Sequence, residues 1–331
     1  LVSLYGFFID DLETAATLNG NWAVAEIRSG NNKKKNKKDI ERSFTTGENQ
    51  ICVFEFAKFI VLFKRNIAQL IRDWTAVQMK FALHVLLGIL LGTMFYDSGN
   101  DGSKTFDNIR FLLCSSVFFS YTTLMPAVLR FPLELPVLQK EHFNNWYHLR
   151  TYFFAMNSVN IPFQIILTIV YCSISYILTG QPMEINRFLL FLLTGIVTGL
   201  TAESMGLFLG SLFNPINGTF LGAASLGVML SLAGLLPLFV HMPKYMYNLT
   251  YISFLRYSME NMMLSVYGFD RETLGCPENI DYCHFRYPKT ILVQFCMDDS
   301  RFWPNIAALT LNFLIVRLLA CWALKKRLSS T

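Results

Sequence analysis

The chain has 331 residues, of which 53% are hydrophobic and only 15% are charged, and its formal net charge is +5. Soluble domains carry about 25% charged residues, so this composition argues against a soluble enzyme, a disordered chain and a small disulfide scaffold. The mild, dispersed positive charge argues against a nucleic-acid-binding protein. The composition therefore predicts a polytopic membrane protein. The chain opens at Leu1 without an initiator Met or a readable signal peptide, so we expect it to be a fragment of a longer protein.

Two segments precede the first apolar run. Residues 1–50 are predicted to be a cytosolic linker, largely disordered, because they are polar and contain a block of lysines at 33–38. That block is either solvated or in contact with anionic lipid. Residues 51–75 place apolar side chains at helical spacing with Lys and Arg between them. This pattern predicts an amphipathic connecting helix in the inner headgroup layer.

Six segments are apolar and long enough to cross a bilayer as helices, which takes about 20 residues. They lie at about 76–96, 111–129, 155–178, 188–213, 218–240 and 304–324. The predicted fold class is therefore an all-α membrane protein with six transmembrane helices. Five of them fall within residues 76–240, an insert occupies 241–303, and the last helix and a tail occupy 304–331. Lys and Arg cluster before the first span, after the second and at the chain end, so the positive-inside rule predicts cytosolic termini and an extracellular or lumenal insert.

The predicted cytosolic loop at 130–150 is the most polar piece near the membrane, and it also contains aromatic side chains. Two interpretations are open: a surface that packs against a soluble partner, or a solvated turn anchored by interfacial aromatic residues. The residues of interest are Glu134, Lys140, Glu141, His142, Trp146 and Tyr147.

The insert begins with a segment, 245–269, that is apolar in part but too polar to span. It predicts a re-entrant or interfacial helix pair. Arg256 and Glu260 are four residues apart and could pair across one helical turn. Asn248 begins a glycosylation sequon on the same side.

Three cysteines, Cys276, Cys283 and Cys296, also lie in the insert, where an oxidising compartment permits disulfides. The alternative is three free thiols. Glu203 is an ionisable residue well inside the fourth predicted span, which is costly unless it is protonated, paired or facing a wet cavity. Lys80 and His84, one turn apart in the first span, are its candidate partners by type. Glu203 is either part of a polar relay or a protonated side chain bonded to a neighbouring helix.

The order of these parts resembles the membrane domain of the G subfamily of ABC transporters, closest to its sterol- and lipid-exporting branch, over residues 51–328. The strings that carry the resemblance are Phe63-Lys64-Arg65-Asn66, Phe131-Pro132-Leu133-Glu134, Lys140-Glu141-His142, Ile161-Pro162-Phe163-Gln164, Phe254-Leu255-Arg256-Tyr257 and Tyr267-Gly268-Phe269-Asp270.

This resemblance implies a half transporter that pairs with a second half, identical or different, and exports sterols, lipids or other hydrophobic molecules by alternating access. The family carries an ATPase domain on the same chain, and no nucleotide-binding motif occurs in this sequence. ATP and Mg²⁺ are therefore expected on that nucleotide-binding domain, and no cofactor is expected on this chain. The alternatives are a truncated, non-transporting dimerisation partner and, less favoured, a channel. The expected location is the plasma membrane, or an intracellular vesicle membrane.

The resemblance also implies site residues. The loop at 130–150 would act as the coupling helix, Cys276 would pair with Cys283, and Leu235 and Leu236 would form an apolar plug at the outer exit. The role of Glu203 does not transfer. The implied substrate cavity lies on the dimer axis and is lined by Phe118, Phe119, Thr122, Leu226, Gly227 and Leu230.

Overall fold

The computed structural model describes residues 37–234, 243–276 and 285–329, with side chains described from residue 55. The described residues form ten α-helices and contain no β-strand, which confirms the all-α prediction. The helices are α1 (Lys37–Arg72), α2 (Trp74–Met94), α3 (Thr105–Phe143), α4 (Leu149–Leu178), α5 (Ile185–Leu212), α6 (Pro215–Ser231), α7 (Lys244–Thr250), α8 (Phe254–Tyr267), α9 (Pro288–Gln294) and α10 (Phe302–Ser329).

The chain divides into two compact units, residues 1–56 and 57–331. In the first unit the structure describes only residues 37–56, which are helical. Helix α1 contains most of the connecting helix expected at 51–75, but it begins earlier, so residues 37–50 are helical where a linker was expected. The rest of the first unit lies outside the described residues.

Five helices in the described part of the chain are long and apolar enough to cross a membrane: α2, α3, α4, α5 and α10. The predicted fifth span, 218–240, begins as α6, which ends at Ser231 after 17 residues. Gly234 has a φ of 84°, a left-handed conformation that commonly terminates helices. Residues 235–240 lie outside the described residues, so the count of six spans stays a prediction.

Helix α5 lies at the centre of the second unit and packs against α3, α4, α6, α8 and α10. Its buried face is rich in glycine and hydroxyl residues, which allow helix backbones to approach closely in a membrane. Gly206 shows how close: a Cβ added there would lie 2.5 Å from the Leu124 carbonyl oxygen on α3. A larger residue would therefore separate α5 from α3.

Helices α7 and α8 form the polar helix pair expected at the start of the insert. Helix α8 is buried along almost its whole length. The expected partners across one turn, Arg256 and Glu260, take other contacts. The Arg256 guanidinium lies 3.9 Å from the centre of the Tyr251 ring and donates to Thr250, and Glu260 pairs with Arg301 at 3.8 Å. Two of these partners, Tyr251 and Arg301, are themselves exposed, so both contacts reach from buried α8 to the protein surface.

Candidate functional site

Helix α3 has 39 residues, about 58 Å at 1.5 Å per residue, nearly twice the length that a bilayer requires. Residues 130–143, which were expected to form a loop, continue this helix. Three prolines lie inside it, and it remains helical there because Phe131, Leu135 and Leu138, at spacings of four and three, are all buried in one cluster. The turn to α4 is confined to residues 144–148.

Glu141 is the centre of a buried polar contact between α1 and this end of α3. The Arg65 Nη1 atom donates to both Glu141 carboxylate oxygens, at 2.7 and 2.9 Å. The Tyr147 hydroxyl donates to the same carboxylate. Burial and the hydrogen bond to Glu141 both raise the pKa of the Tyr147 phenol, so it remains a protonated donor at neutral pH.

Glu134 makes a second contact of the same kind, one that joins three helices. Its carboxylate accepts from Arg130 Nε at 2.7 Å and from the Tyr152 hydroxyl of α4 at 3.0 Å. Gln69 Nε2 of α1 lies 3.5 Å from the same carboxylate. Two acidic side chains of α3, two turns apart, therefore attach this helix to α1 and to α4.

The predicted coupling residues thus fall into two sets. Glu134, Glu141 and Tyr147 face inward and hold the helices together. Lys140 and Trp146 are exposed, and His142 is half-buried. Phe143, at 87% exposure, adds a large apolar side chain to the outward set. The outward set leaves an apolar and basic surface at the end of α3.

A cleft of about 810 Å³, including its open mouth, lies beside these contacts. Five helices line it, α1 to α5, and its wall mixes charged, amide and apolar side chains. The lining residues are Asn66, Leu70, Lys80, Thr122, Thr123, Pro126, Ala127, Arg130, Phe131, Glu134, Met156, Val159, Asn160, Phe163, Gln164, Glu203 and Leu207.

Glu203 faces this cleft. Its Oε1 atom accepts from Asn160 Nδ2 at 3.2 Å, and its buried Oε2 atom has no hydrogen-bond partner in the described part of the chain. Of the two expected partners, Lys80 lines the same cleft. His84 does not: its Nδ1 atom lies 2.8 Å from the Lys80 carbonyl oxygen, and its ring packs against Phe118.

Sequence reasoning missed Arg317, which lies within α10 and is 8% exposed. Its guanidinium donates to Asn157 of α4 and lies 3.5 Å from the Ser204 hydroxyl of α5. The sequence does contain a signal for this residue: Arg317 is a charged residue within the last apolar segment, just as Glu203 is within the fourth. An ionisable residue inside a span is expected to face the bundle interior.

The residues proposed for the substrate cavity do not share one cleft within a single chain. Phe118 and Phe119 are buried against Tyr171, with ring centres 4.6 and 5.0 Å from the Tyr171 ring. Thr122 lines the cleft described above. On α6, Leu226 is buried, Leu230 is half-buried, and Gly227 is exposed with no atom within 4 Å of an added Cβ. The cavity on a dimer axis stays a prediction.

Several other predicted sites remain untested. Leu235, Leu236 and Cys283 lie outside the described residues, so the plug and the pairing of Cys276 with Cys283 stay predictions. Cys296 is an exposed free cysteine. Asn248 is exposed on α7, and its glycosylation stays a prediction.

The chain is similar to proteins of known class. A family model described as ABC-2 type transporter matches residues 57–267. ABC transporter G family member 21 of Arabidopsis thaliana is 25% identical over 81% of this chain and 38% of its own length. ABC transporter G family member 11 of the same plant is 22% identical over 78% of this chain and 37% of its own length.

A relative from another organism gives a similar match. ABC transporter G family member 1 of Dictyostelium discoideum is 21% identical over 88% of this chain and 37% of its own length. The chain thus spans less than two fifths of the length of these relatives. Five helices of its described part are long and apolar enough to cross a membrane, and the chain is an integral membrane protein that belongs to the ABC-2 type transporter family, with a membrane domain of the G-subfamily type.

Proposed function

We propose that this chain is the membrane part of an ATP-driven exporter of sterols, lipids or other hydrophobic small molecules. It works as a dimer with a second half transporter and moves its substrate by alternating access. ATP binds to nucleotide-binding domains that residues 1–331 do not include. The substrate enters an apolar cavity between the two subunits and leaves on the opposite side of the membrane, with both termini in the cytosol.

The observation that carries this proposal is the attachment of α3 to α1 through Glu134 and Glu141. Both carboxylates accept hydrogen bonds from α1 and from the α4 side, so a force on α1 or on the exposed end of α3 moves these elements together. The same helix continues without a loop to Phe118, Phe119 and Thr122. A displacement of α3 at Glu141 is therefore transmitted to the proposed substrate residues through a single helix.

The chemistry of the proposed cavity residues supports a hydrophobic substrate. Phe118 and Phe119 are aromatic, Leu226 and Leu230 are aliphatic, and none of the six residues carries a charge. Such surfaces suit flat apolar molecules. They select by shape rather than by directed polar contacts, and a methylene is worth only about 1–3 kcal/mol of discrimination.

Efflux from cells or vesicles that contain this chain assembled with an ATPase domain tests the coupling. Glu141→Ala removes the shared acceptor of Arg65 and Tyr147, and we expect sterol efflux per ATP hydrolysed to fall about tenfold or more. The matched control is Asp107→Ala, which removes an exposed ion pair with Arg110 (2.8 Å) from the same helix. Exposed ion pairs contribute little to stability, so Asp107→Ala should retain normal efflux.

A second variant tests the substrate residues. Phe119→Ala should reduce efflux while ATP hydrolysis without substrate continues, and Phe119→Leu, which preserves more of the buried volume, guards against a folding defect. If Phe119→Ala and Glu141→Ala both transport normally, the proposed cavity and coupling are wrong. If the wild type transports nothing and suppresses a partner's export, the chain is a regulatory dimerisation partner. Unitary currents without nucleotide would indicate a channel.

A further inference from the structure

The cleft beside Glu203 contains donors without acceptors. Asn66 Nδ2 is buried and has no hydrogen-bond partner among the described residues. Lys80 has no carboxylate oxygen within 4.0 Å of its Nζ atom in the described part of the chain. Its ammonium group lies 5.9 Å from the centre of the Phe163 ring. A half-buried cation and a buried amide thus share one cleft with no paired anion.

Four charged side chains line the cleft, the cations Lys80 and Arg130 and the carboxylates Glu134 and Glu203. Arg130 is neutralised by Glu134 at 2.7 Å. The charge of Glu203 acts both on Lys80 and on Arg317, which lies in contact with the neighbouring Ser204. Arg130 repels Lys80 across the cleft. Among the described residues, Lys80 is therefore the lining cation that has no carboxylate oxygen within 4.0 Å, and its partial burial makes an unpaired charge costly.

Asp73 is the remaining acidic group that acts on Lys80. It is exposed at the junction of α1 and α2, so water and salt screen its charge.

The two lining cations lie near one end of their predicted membrane spans. Lys80 lies six residues after the first residue of α2, about 9 Å along the helix axis. Arg130 lies where α3 leaves the apolar stretch predicted for its membrane span. The headgroup region adds about 5–8 Å to each side of the hydrocarbon core, and lysine side chains reach toward it.

Apolar side chains form much of the remaining wall. They come from α3, α4 and α5, and they include Pro126, Ala127, Met156, Val159, Phe163 and Leu207. A free inorganic anion would gain nothing from them. An amphiphile would place its charged group at Lys80 and its chain against this wall.

From this arrangement we propose that the cleft is a binding site for one anionic phospholipid, whose phosphate group contacts Lys80, Asn66 and Arg130. The site shares only Thr122 with the residues proposed for the cavity of the exported molecule, and its occupant is a resident lipid rather than cargo. It joins α1, α2 and α3 because its three polar contacts come from these three helices.

Native mass spectrometry of the full chain, released from nanodiscs of phosphatidylcholine and phosphatidylserine in equal amounts, tests the proposal. The wild type should retain phosphatidylserine in preference to phosphatidylcholine. Lys80→Gln should lower phosphatidylserine retention about tenfold, as expected for loss of a charge-assisted hydrogen bond. Lys80→Arg should restore it. Lys64→Gln is the matched control, because Lys64 is exposed on neighbouring α1.

A thermal unfolding measurement covers the case in which Lys80→Gln folds poorly. Added phosphatidylserine should raise the melting temperature of the wild type and of Lys64→Gln, and not that of Lys80→Gln. Equal retention of the two lipids by the wild type overturns the proposal, and so does unchanged retention in Lys80→Gln. Displacement of the lipid by inorganic phosphate alone would also overturn it, because the site would then bind a free anion.

Discussion

Helices α2 and α5 are both apolar enough to cross a membrane, yet they occupy opposite environments. In α2 only His84, Gly88 and Gly92 are buried, and most of its large apolar side chains face outward. In α5 the buried residues include glycine, serine and threonine along most of its length. Lipid tails are as apolar as leucine, so a membrane protein gains little by burying large apolar residues. Small and polar side chains identify the interior helix.

Among the variants that test this comparison, the largest change in stability is expected at Arg317, whose guanidinium lies beside Ser204 of α5. Arg317→Leu should lower the free energy of unfolding by about 3 kcal/mol, because it leaves the Asn157 side-chain oxygen without its charged donor and removes the positive charge that acts on the Glu203 carboxylate. Chemical or thermal unfolding in detergent measures it.

The double variant Arg317→Leu with Glu203→Gln provides the control. It should recover part of the loss, because the uncompensated carboxylate is removed. Strict additivity of the two single changes would show that the two groups do not interact, and an unaffected Arg317→Leu would place α10 outside the interior.

The next largest change in stability is expected where α3 and α5 approach each other closely. Gly206→Val should cost about 1–3 kcal/mol, since an added Cβ meets the Leu124 carbonyl oxygen at 2.5 Å and backbone must move. The melting temperature measured by size exclusion after heating reports it. Gly227→Val on α6 is the matched control, with nothing within 4 Å of its added Cβ. Equal losses in the two variants would refute close packing of α3 on α5.

The smallest effect is expected on the outer helix. Leu86 of α2 is 60% exposed, and Leu86→Ala should change stability by no more than about 0.5 kcal/mol, as for surface positions without special contacts. The same change at Leu167 of α4, which is 1% exposed, leaves a cavity and should cost at least about 2 kcal/mol. If Leu86→Ala were as harmful as Leu167→Ala, α2 would be covered by protein instead of lipid.

Much of the fold follows from the sequence because hydropathy over a long window reports membrane-crossing length. Hydropathy does not report where a helix ends. Residues 218–240 are apolar throughout, and α6 nevertheless stops at Ser231, shortly before Gly234 turns the backbone. The polarity of a segment can also suggest a loop where the chain is helical. Residues 130–143 contain prolines and charges typical of a loop, and they remain helical because their buried face keeps helical spacing.

The polar site was predictable only in part. The rule that selects Glu203 also selects Arg317, and applying it to every span would have found both. The hydrogen-bond partners of Glu203 and Arg317 were harder to predict. Asn160 and Asn157 are neutral residues of α4, and their contacts depend on how the helices pack. His84 has the right chemistry and lies one turn from Lys80, but it packs against Phe118 instead of Glu203.

The enclosed position of α8 has a consequence for biosynthesis. This helix packs against α3, α5, α6, α9 and α10, and α10 is the last of these to leave the ribosome. While α10 is still being made, α8 carries Arg256 and Glu260 without its full enclosure. The enclosure of α8 is therefore complete only after α10 has been translated.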